Sequence, residues 1–232
     1  MRGTGTGGTG EDDKWIRDSL FVIGGIYLPL GGNRYAYVGT RPGPEWWGHG
    51  YFAKSLTTLK GGCPKKIVLF KHRWIDRERG VTVHSRPPDD PAYIRFCTLV
   101  VVLRVWACVN SVKGFHNREE SFGNLWTGCG SDRTVQRWLS RAMHNSMKIQ
   151  QAIRHCLIEE SEPRPVEKLF EGGLSPPDGV LNRRWKSSKK ISELYRAYAM
   201  LFVAARKLAQ HASCLLAGAQ RRMPMSEKTV GL

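Results

Sequence analysis

Acidic residues are scarce in this chain: 20 aspartates and glutamates accompany 36 lysines and arginines, and the formal net charge at pH 7 is +16. A balance this one-sided predicts a polyanionic partner, because it is the electrostatic signature expected of a protein that binds nucleic acid. Duplex DNA is the first partner that it indicates, with RNA or an anionic membrane surface as the alternative. The simpler interpretation, a charge that serves solubility alone, rarely needs so large an excess.

Paired cysteines are also missing, since none of the six cysteines forms a C-x-x-C motif. This argues against a zinc ribbon and against a dense disulfide framework, and it favours free thiols in a reducing compartment. Cys63, His72 and His84 come nearest to a metal-binding set, but their spacing matches no established ligand pattern. We therefore predict that the protein binds no metal and no other cofactor.

The sequence has no apolar run of membrane-spanning length and no secretory signal. The stretch from Phe96 to Val109 is strongly apolar, but it contains Arg104 and is too short to cross a bilayer. The glycine- and threonine-rich start leads into Glu11, Asp12 and Asp13, which is the wrong chemistry for a signal peptide. We expect a cytoplasmic protein without a membrane span.

Catalytic motifs are absent as well: there is no G-x-S-x-G, no H-E-x-x-H and no Gly-Lys-Ser/Thr phosphate loop. The carboxylates fall in turns, at caps or on charged helix faces, and not after a buried strand where they could hold two metal ions. The sequence thus predicts a protein that is not an enzyme and has no catalytic residues. A transposase- or nuclease-like enzyme is the second alternative.

The first part of the chain predicts β-structure. Glycine and proline interrupt residues 15–62, which favours loops and short strands. Lys65 to Asp76 and Val81 to Ser85 are rich in β-branched and aromatic residues and are separated by a short polar segment, which predicts a hairpin. The proline-rich segment 86–91 ends this region.

Helices are predicted beyond that segment. Asp90 is the expected N-cap and Pro91 the first helical residue of a buried central helix over Ala92 to Val112, although the β-branched residues of that stretch also suit a strand. A last helix from Ser188 to Arg221 carries a 3.5-residue apolar repeat, which permits a coiled-coil homodimer through 188–221. Its small and aromatic flanking positions favour packing within one chain instead.

The stretch from Gly128 to Ala142 predicts a tight turn followed by a short basic helix. The residues Val135, Trp138, Leu139 and Ala142 fall on one apolar face, whereas Arg133, Gln136, Arg137, Ser140 and Arg141 face outward. Ser131 or Asp132 can cap the first turn. A second helix, roughly Asn117 to Trp126, lies upstream, so the pair predicts a helix-turn-helix with a recognition helix at about 131–144. An ordinary amphipathic surface helix is the alternative.

The predicted fold class is α+β, with a mainly helical C-terminal domain that contains the helix-turn-helix and a small loop-rich β-hairpin region before it. The expected division is a disordered tail at 1–14, the β region at 15–88, the helical domain at 89–222 and a second tail at 223–232.

From about Lys66 to Met223 the order of elements resembles that of small transposon-associated (insertion-sequence-type) helix-turn-helix proteins. The resemblance is carried by His72-Arg73-Trp74, by Arg86-Pro87-Pro88 and by the run from Ser131 to Leu139. Members of that group have an N-terminal zinc-ribbon-like segment, which is degenerate here because its paired cysteines are missing. The resemblance implies DNA binding without catalysis.

This resemblance and the charge together assign roles to individual residues. The major groove would be contacted by Arg133, Thr134, Gln136, Arg137 and Arg141, with Ser131 near a phosphate. Non-specific backbone contacts would come from Lys186, Lys189 and Lys190. In the alternative interpretation the protein binds RNA or an anionic surface through the basic hairpin and the aromatic residues around Trp46.

Overall fold

A computed structural model describes residues 14–110, 130–161 and 189–223 of the chain. Helices make up 48% of the structure and strands 26%, which confirms the predicted mixture of α and β at that level. The strands are β1 Leu28–Gly31, β2 Arg34–Tyr37, β3 Trp46–Lys60, β4 Cys63–Asp76 and β5 Val81–His84. The described helices are α1 Lys14–Arg17, α2 Leu20–Ile23, α3 Thr98–Asn110, α4 Asp132–His144, α5 Ser146–Ser161, α6 Lys189–Lys207 and α7 Ala212–Arg222.

The strands form one sheet in the order β1-β2-β4-β3, with β5 paired to β4 as well. β3 runs antiparallel to β4 along almost its whole length. On the other edge of β4, β2 pairs in parallel with Val68–Lys71 and β5 pairs antiparallel with Arg73–Asp76. The predicted β4–β5 hairpin is therefore confirmed. The prediction of only loops and short strands before it is wrong over residues 46–60, where the longest strand lies.

The half of the sheet nearest the β3–β4 turn packs against the helices. Leu56 and Leu69 are buried in the same apolar cluster as the residues of α3. The chain before α3 lies beside β3, because Thr57 donates its N–H to Arg95 O at 2.8 Å and accepts the N–H of Cys97 at 2.9 Å. Residues on both sides of position 88 thus contribute to one buried cluster.

Helix α3 is the buried central helix that the sequence predicts, but it begins later than expected. All residues from Leu99 to Leu103 are buried. Residues 92–97 are not helical, and Asp90 and Pro91 are not its N-cap and first residue, which corrects that prediction. Asp89 lies at the start of α3 instead, where its backbone carbonyl oxygen accepts the N–H of Thr98 at 3.3 Å. The local cap signal failed because tertiary contacts with Lys54 and Lys71 hold the Asp90 carboxylate away from the helix start.

Asp89 makes stability depend on pH. Its complete burial raises its pKa to about 7, against opposing backbone hydrogen bonds and with a further contribution from Asp90. Because the folded protein keeps a proton that the unfolded chain loses above about pH 4, stability declines as the pH rises from about 4 to about 7 and levels off above that. Relative to Asp89→Asn, which cannot ionise, we expect the wild type to lose about 1 kcal/mol between pH 6 and pH 8. Urea unfolding of both proteins at the two pH values tests this, and identical pH dependence would contradict it.

The last predicted helix is two helices. α6 ends at Lys207 and α7 begins at Ala212, and Ala209 between them has φ 51°. The apolar repeat continues across this turn because both helices pack on the same core. The residues of the predicted dimer seam are mostly buried within the chain, among them Leu194, Tyr198, Leu201, Ala205, Ala212 and Leu215. A continuous helix over 188–221 is therefore wrong, and these residues offer no seam to a second copy.

Candidate nucleic-acid interface

Helix α4 begins as the sequence predicts. Ser131 is its N-cap, and its hydroxyl oxygen accepts the backbone N–H of Thr134 at 3.4 Å. Gly130 enters the helix with φ 88°, and a Cβ at that position would lie 3.3 Å from the Trp138 ring. Glycine is needed there for both reasons. Gly128 and Cys129 of the predicted turn lie outside the described residues.

The apolar face of α4 fixes the helix to the body of the protein. Val135, Trp138, Leu139 and Ala142 are all buried, as predicted. The Trp138 ring packs edge-on against Phe96 at a centroid distance of 5.2 Å. Phe96 in turn forms a β-bridge with Thr57 of β3. α4 is therefore anchored to the sheet, which holds its opposite face in a defined orientation.

The outer face of α4 is cationic and exposed. Arg133, Arg137 and Arg141 lie at i, i+4 and i+8, so they form one row with roughly 6 Å between neighbours. In the part of the chain that the structure describes, none of the three side chains makes an ion pair or a hydrogen bond. Gln136 and Ser140 form a second exposed row beside the first. We call these five residues the α4 polar face.

Helix stability does not explain the arginine row. Like charges at i, i+4 spacing destabilise a helix by about 0.2 to 0.5 kcal/mol per pair, and the row contains two such pairs. The burial of the opposite face outweighs this cost. An arrangement that repels itself and has no acidic partner among the described residues is complementary to an external anion.

His144 extends this surface and was missed in the sequence analysis. It is exposed and follows Gln136 and Ser140 at the same four-residue spacing in the last turn of α4. The helical periodicity that identified the other residues also reaches this position.

Two of the three predicted lysines lie close to the end of α4. Lys189 and Lys190 are exposed in the first turn of α6. Ser146, which directly follows the α4–α5 junction, donates a hydrogen bond to Glu193 in the next turn of α6 at 2.8 Å. This contact brings the start of α6 beside the C-terminal end of α4. Lys186 lies outside the described residues.

Thr134 and Ser131 are less available than predicted. Their hydroxyl oxygens lie 3.0 Å apart, and Thr134 is only partly exposed. The N-cap hydrogen bond also uses the Ser131 oxygen. These two side chains therefore close the first turn of the helix.

The predicted zinc-ribbon-like segment does not bring its candidate ligands together. Cys63 and His72 lie nine residues apart on the single strand β4, which separates them by roughly 30 Å. No group of three or more His, Cys, Asp or Glu side chains within residues 14–110, 130–161 and 189–223 could hold a metal ion. Cys63 is an exposed thiol at the start of its strand.

Comparison of the chain with protein-family models, with curated proteins and with solved structures finds no match. The upstream helix of the predicted helix-turn-helix, Asn117 to Trp126, falls outside the described residues. The resemblance to transposon-associated proteins thus stays a prediction. No helix in the described ranges is both long and apolar enough to span a bilayer.

Proposed function

We propose that this chain is a non-catalytic protein that binds duplex DNA through α4. The observation that carries the proposal is the row Arg133, Arg137 and Arg141, which is exposed and unpaired among the described residues, on a helix anchored by Trp138. An α-helix fits the major groove, and arginine is the side chain that most often recognises guanine there. An association with transposons is supported by the sequence resemblance alone.

The roles within the interface follow from position. Arg133, Gln136, Arg137 and Arg141 would contact base edges and the adjacent phosphates, because they share the outer face of α4. Lys189 and Lys190 would contact the DNA backbone beyond the C-terminal end of α4, where the start of α6 lies next to it. Ser131 and Thr134 would hold the first turn in shape.

A pair of single substitutions separates base recognition from backbone contact. Once a preferred duplex has been selected from a random pool, Arg137→Ala should weaken its binding by roughly tenfold and leave random duplexes nearly unchanged. Lys189→Ala should weaken all duplexes alike and lower the salt-dependence slope by about 1. Fluorescence anisotropy over a salt series measures both effects, with Lys207→Ala at the far end of α6 as the control. Equal losses on selected and random DNA from Arg137→Ala would remove the base-reading role.

Competition by other polyanions tests the proposal as a whole. The wild-type protein should release labelled duplex DNA more readily to unlabelled duplex than to RNA or to anionic vesicles. If RNA or vesicles displace the labelled duplex more readily than unlabelled duplex does, that polyanion and not DNA is the ligand. Metal-dependent nicking of the duplex would show that the protein is an enzyme.

A further inference from the structure

The end of the sheet away from the β3–β4 turn exposes three aromatic rings. The exposed fractions are 53% for Trp47, 55% for Tyr51 and 42% for Phe52. Single exposed apolar residues are ordinary on protein surfaces, but neighbouring large rings on one strand are typical of a binding surface. We call these three residues the aromatic end of the sheet.

A β-bulge arranges these rings. The β3–β4 register shifts between Gly48 and Tyr51, so that β3 has one extra residue there. Trp47 pairs with Ile75 and Phe52 with Lys71, two β4 positions that lie on the same face. Both rings therefore project to one side of the sheet although they are five residues apart, while Tyr51 projects to the other side.

Cations surround the two rings that share a face. The guanidinium groups of Arg41 and Arg77 lie 5.6 Å and 5.2 Å from the Trp47 ring centroid. The Phe52 ring has Lys71 Nζ at 5.4 Å and the His84 ring at 4.6 Å. The two guanidinium groups beside the exposed Trp47 ring match a ligand that has both flat π-systems and negative charge.

Some of these cations have acidic partners, since Lys71 Nζ is nearly buried and pairs with Asp90 Oδ2 at 2.7 Å. Asp76 is buried, accepts the backbone N–H groups of Glu78 and Arg79, and pairs with the Arg79 side chain. Glu45 and Glu78 are exposed there. The pKa of His84 is lowered by burial first and then by the charges of Lys71, Arg73 and Arg86.

We propose that the aromatic end of the sheet is a second nucleic-acid surface, which binds unpaired nucleotides by stacking bases on Trp47 and Phe52 while Arg41 and Arg77 contact phosphates. A lipid surface fits less well, because the adjoining β4–β5 turn is charged and the rings project from both sides of the sheet. This proposal rests on the proposed DNA-binding function and extends it, because the DNA ligand would then contain a single-stranded segment as well as a duplex.

The two surfaces are well separated. α4 contacts the sheet beside Thr57, through Phe96 and Trp138, whereas Trp47 lies ten residues away along β3. Ten strand residues span roughly 30 Å. Unpaired nucleotides at the aromatic end and a duplex at α4 can therefore belong to one DNA molecule with a single-stranded tail.

The test compares a blunt duplex of about 20 base pairs, the same duplex with a tail of about 15 nucleotides, and the tail alone, all with the full chain. The wild type should bind the tailed duplex roughly tenfold more tightly than the blunt one. In Trp47→Ala/Phe52→Ala this advantage should be lost while blunt-duplex binding is retained. Trp47→Phe/Phe52→Tyr should keep the advantage, because stacking rings are retained.

Other arms separate this proposal from the one it extends. Tyr93→Ala removes a fully exposed ring outside the sheet and should leave the tail advantage intact. Arg137→Ala should weaken selected blunt and tailed duplexes by the same factor. If the wild type binds the blunt and the tailed duplex equally and does not bind the isolated tail, the aromatic end does not bind unpaired nucleotides. That result would leave the proposed duplex binding by α4 unaffected. If the wild type binds the isolated tail but does not bind the blunt duplex, the α4 proposal is overturned and the proposal for the aromatic end is supported.

Discussion

Replacing Asp90 by asparagine is expected to lower the free energy of unfolding by about 3 to 5 kcal/mol. The Asp90 carboxylate is almost fully buried and pairs with two lysines: Lys71 Nζ lies 2.7 Å from Oδ2, and Lys54 Nζ contacts Oδ1. Lys54 also donates to the carbonyl oxygen of Pro91 at 2.8 Å. Without the carboxylate, two nearly buried ammonium groups lose their counter-charge, and that penalty is much larger than the value of an exposed ion pair.

The Asp90 variant has a second signature in its pH dependence. Burial lowers the pKa of Lys54, and Asp90 opposes this lowering. Removing Asp90 should depress the pKa of Lys54 further in the folded state, so the deficit should shrink as the pH rises toward 10 and Lys54 loses its proton.

Urea unfolding of three variants measures the Asp90 effect. Glu78→Gln, an exposed position, is the control and should change stability by less than about 0.5 kcal/mol. Lys54→Met/Lys71→Met/Asp90→Asn removes all three charges and should recover much of the loss. A loss below about 1 kcal/mol for Asp90→Asn alone would show that water or movement of the lysines satisfies the charges, and would contradict the buried bridge.

The failed helix start at Asp90 and Pro91 shows where sequence reasoning stops. An acid followed by proline before an apolar run is a sound local signal for a helix N-terminus. Tertiary contacts decide the conformation of Asp90 and Pro91 instead, because Asp90 pairs with Lys54 of β3 and Lys71 of β4, which are far away in sequence. The central helix could be predicted because its burial is evident from composition, whereas its first residue could not.

Strand β3 was missed for a related reason. Its half near the turn is buried at Leu56, Thr58 and Leu59, while its other half is exposed on both faces and contains the bulge at Gly48–Tyr51. No single alternation of apolar and polar residues runs through it, so periodicity failed. β4 and β5 were predictable from their β-branched and aromatic content. The break near Ala209 carried no glycine or proline to reveal it.

The α4 polar face was predictable because helical periodicity is local. Val135, Trp138 and Leu139 at the required spacing leave only one orientation for Arg133 and Arg137, and the structure confirms that orientation. The proximity of Lys189 and Lys190 to this face depends on how α6 packs, and sequence spacing alone could not supply it.

Removing the arginine row should have the largest effect on binding. In Arg133→Gln/Arg137→Gln/Arg141→Gln, affinity for duplex DNA at about 0.1 M salt should fall by at least roughly a hundredfold, and the salt-dependence slope should drop by about 2 to 3, because three phosphate or base contacts are lost. Glutamine keeps the helix propensity and the length of the side chain. Fluorescence anisotropy across a salt series gives both quantities.

Stability should move the other way in the same triple variant. Two repulsive i, i+4 pairs disappear, so the free energy of unfolding should stay unchanged or rise by up to about 1 kcal/mol. The matched control, Arg34→Gln/Lys60→Gln/Lys66→Gln, removes the same charge from exposed sheet positions and should weaken binding only slightly. If both triple variants lose affinity equally, α4 is merely part of a diffuse positive field. A loss of DNA affinity together with a gain in the free energy of unfolding is expected of side chains that bind a ligand and slightly destabilise the folded protein.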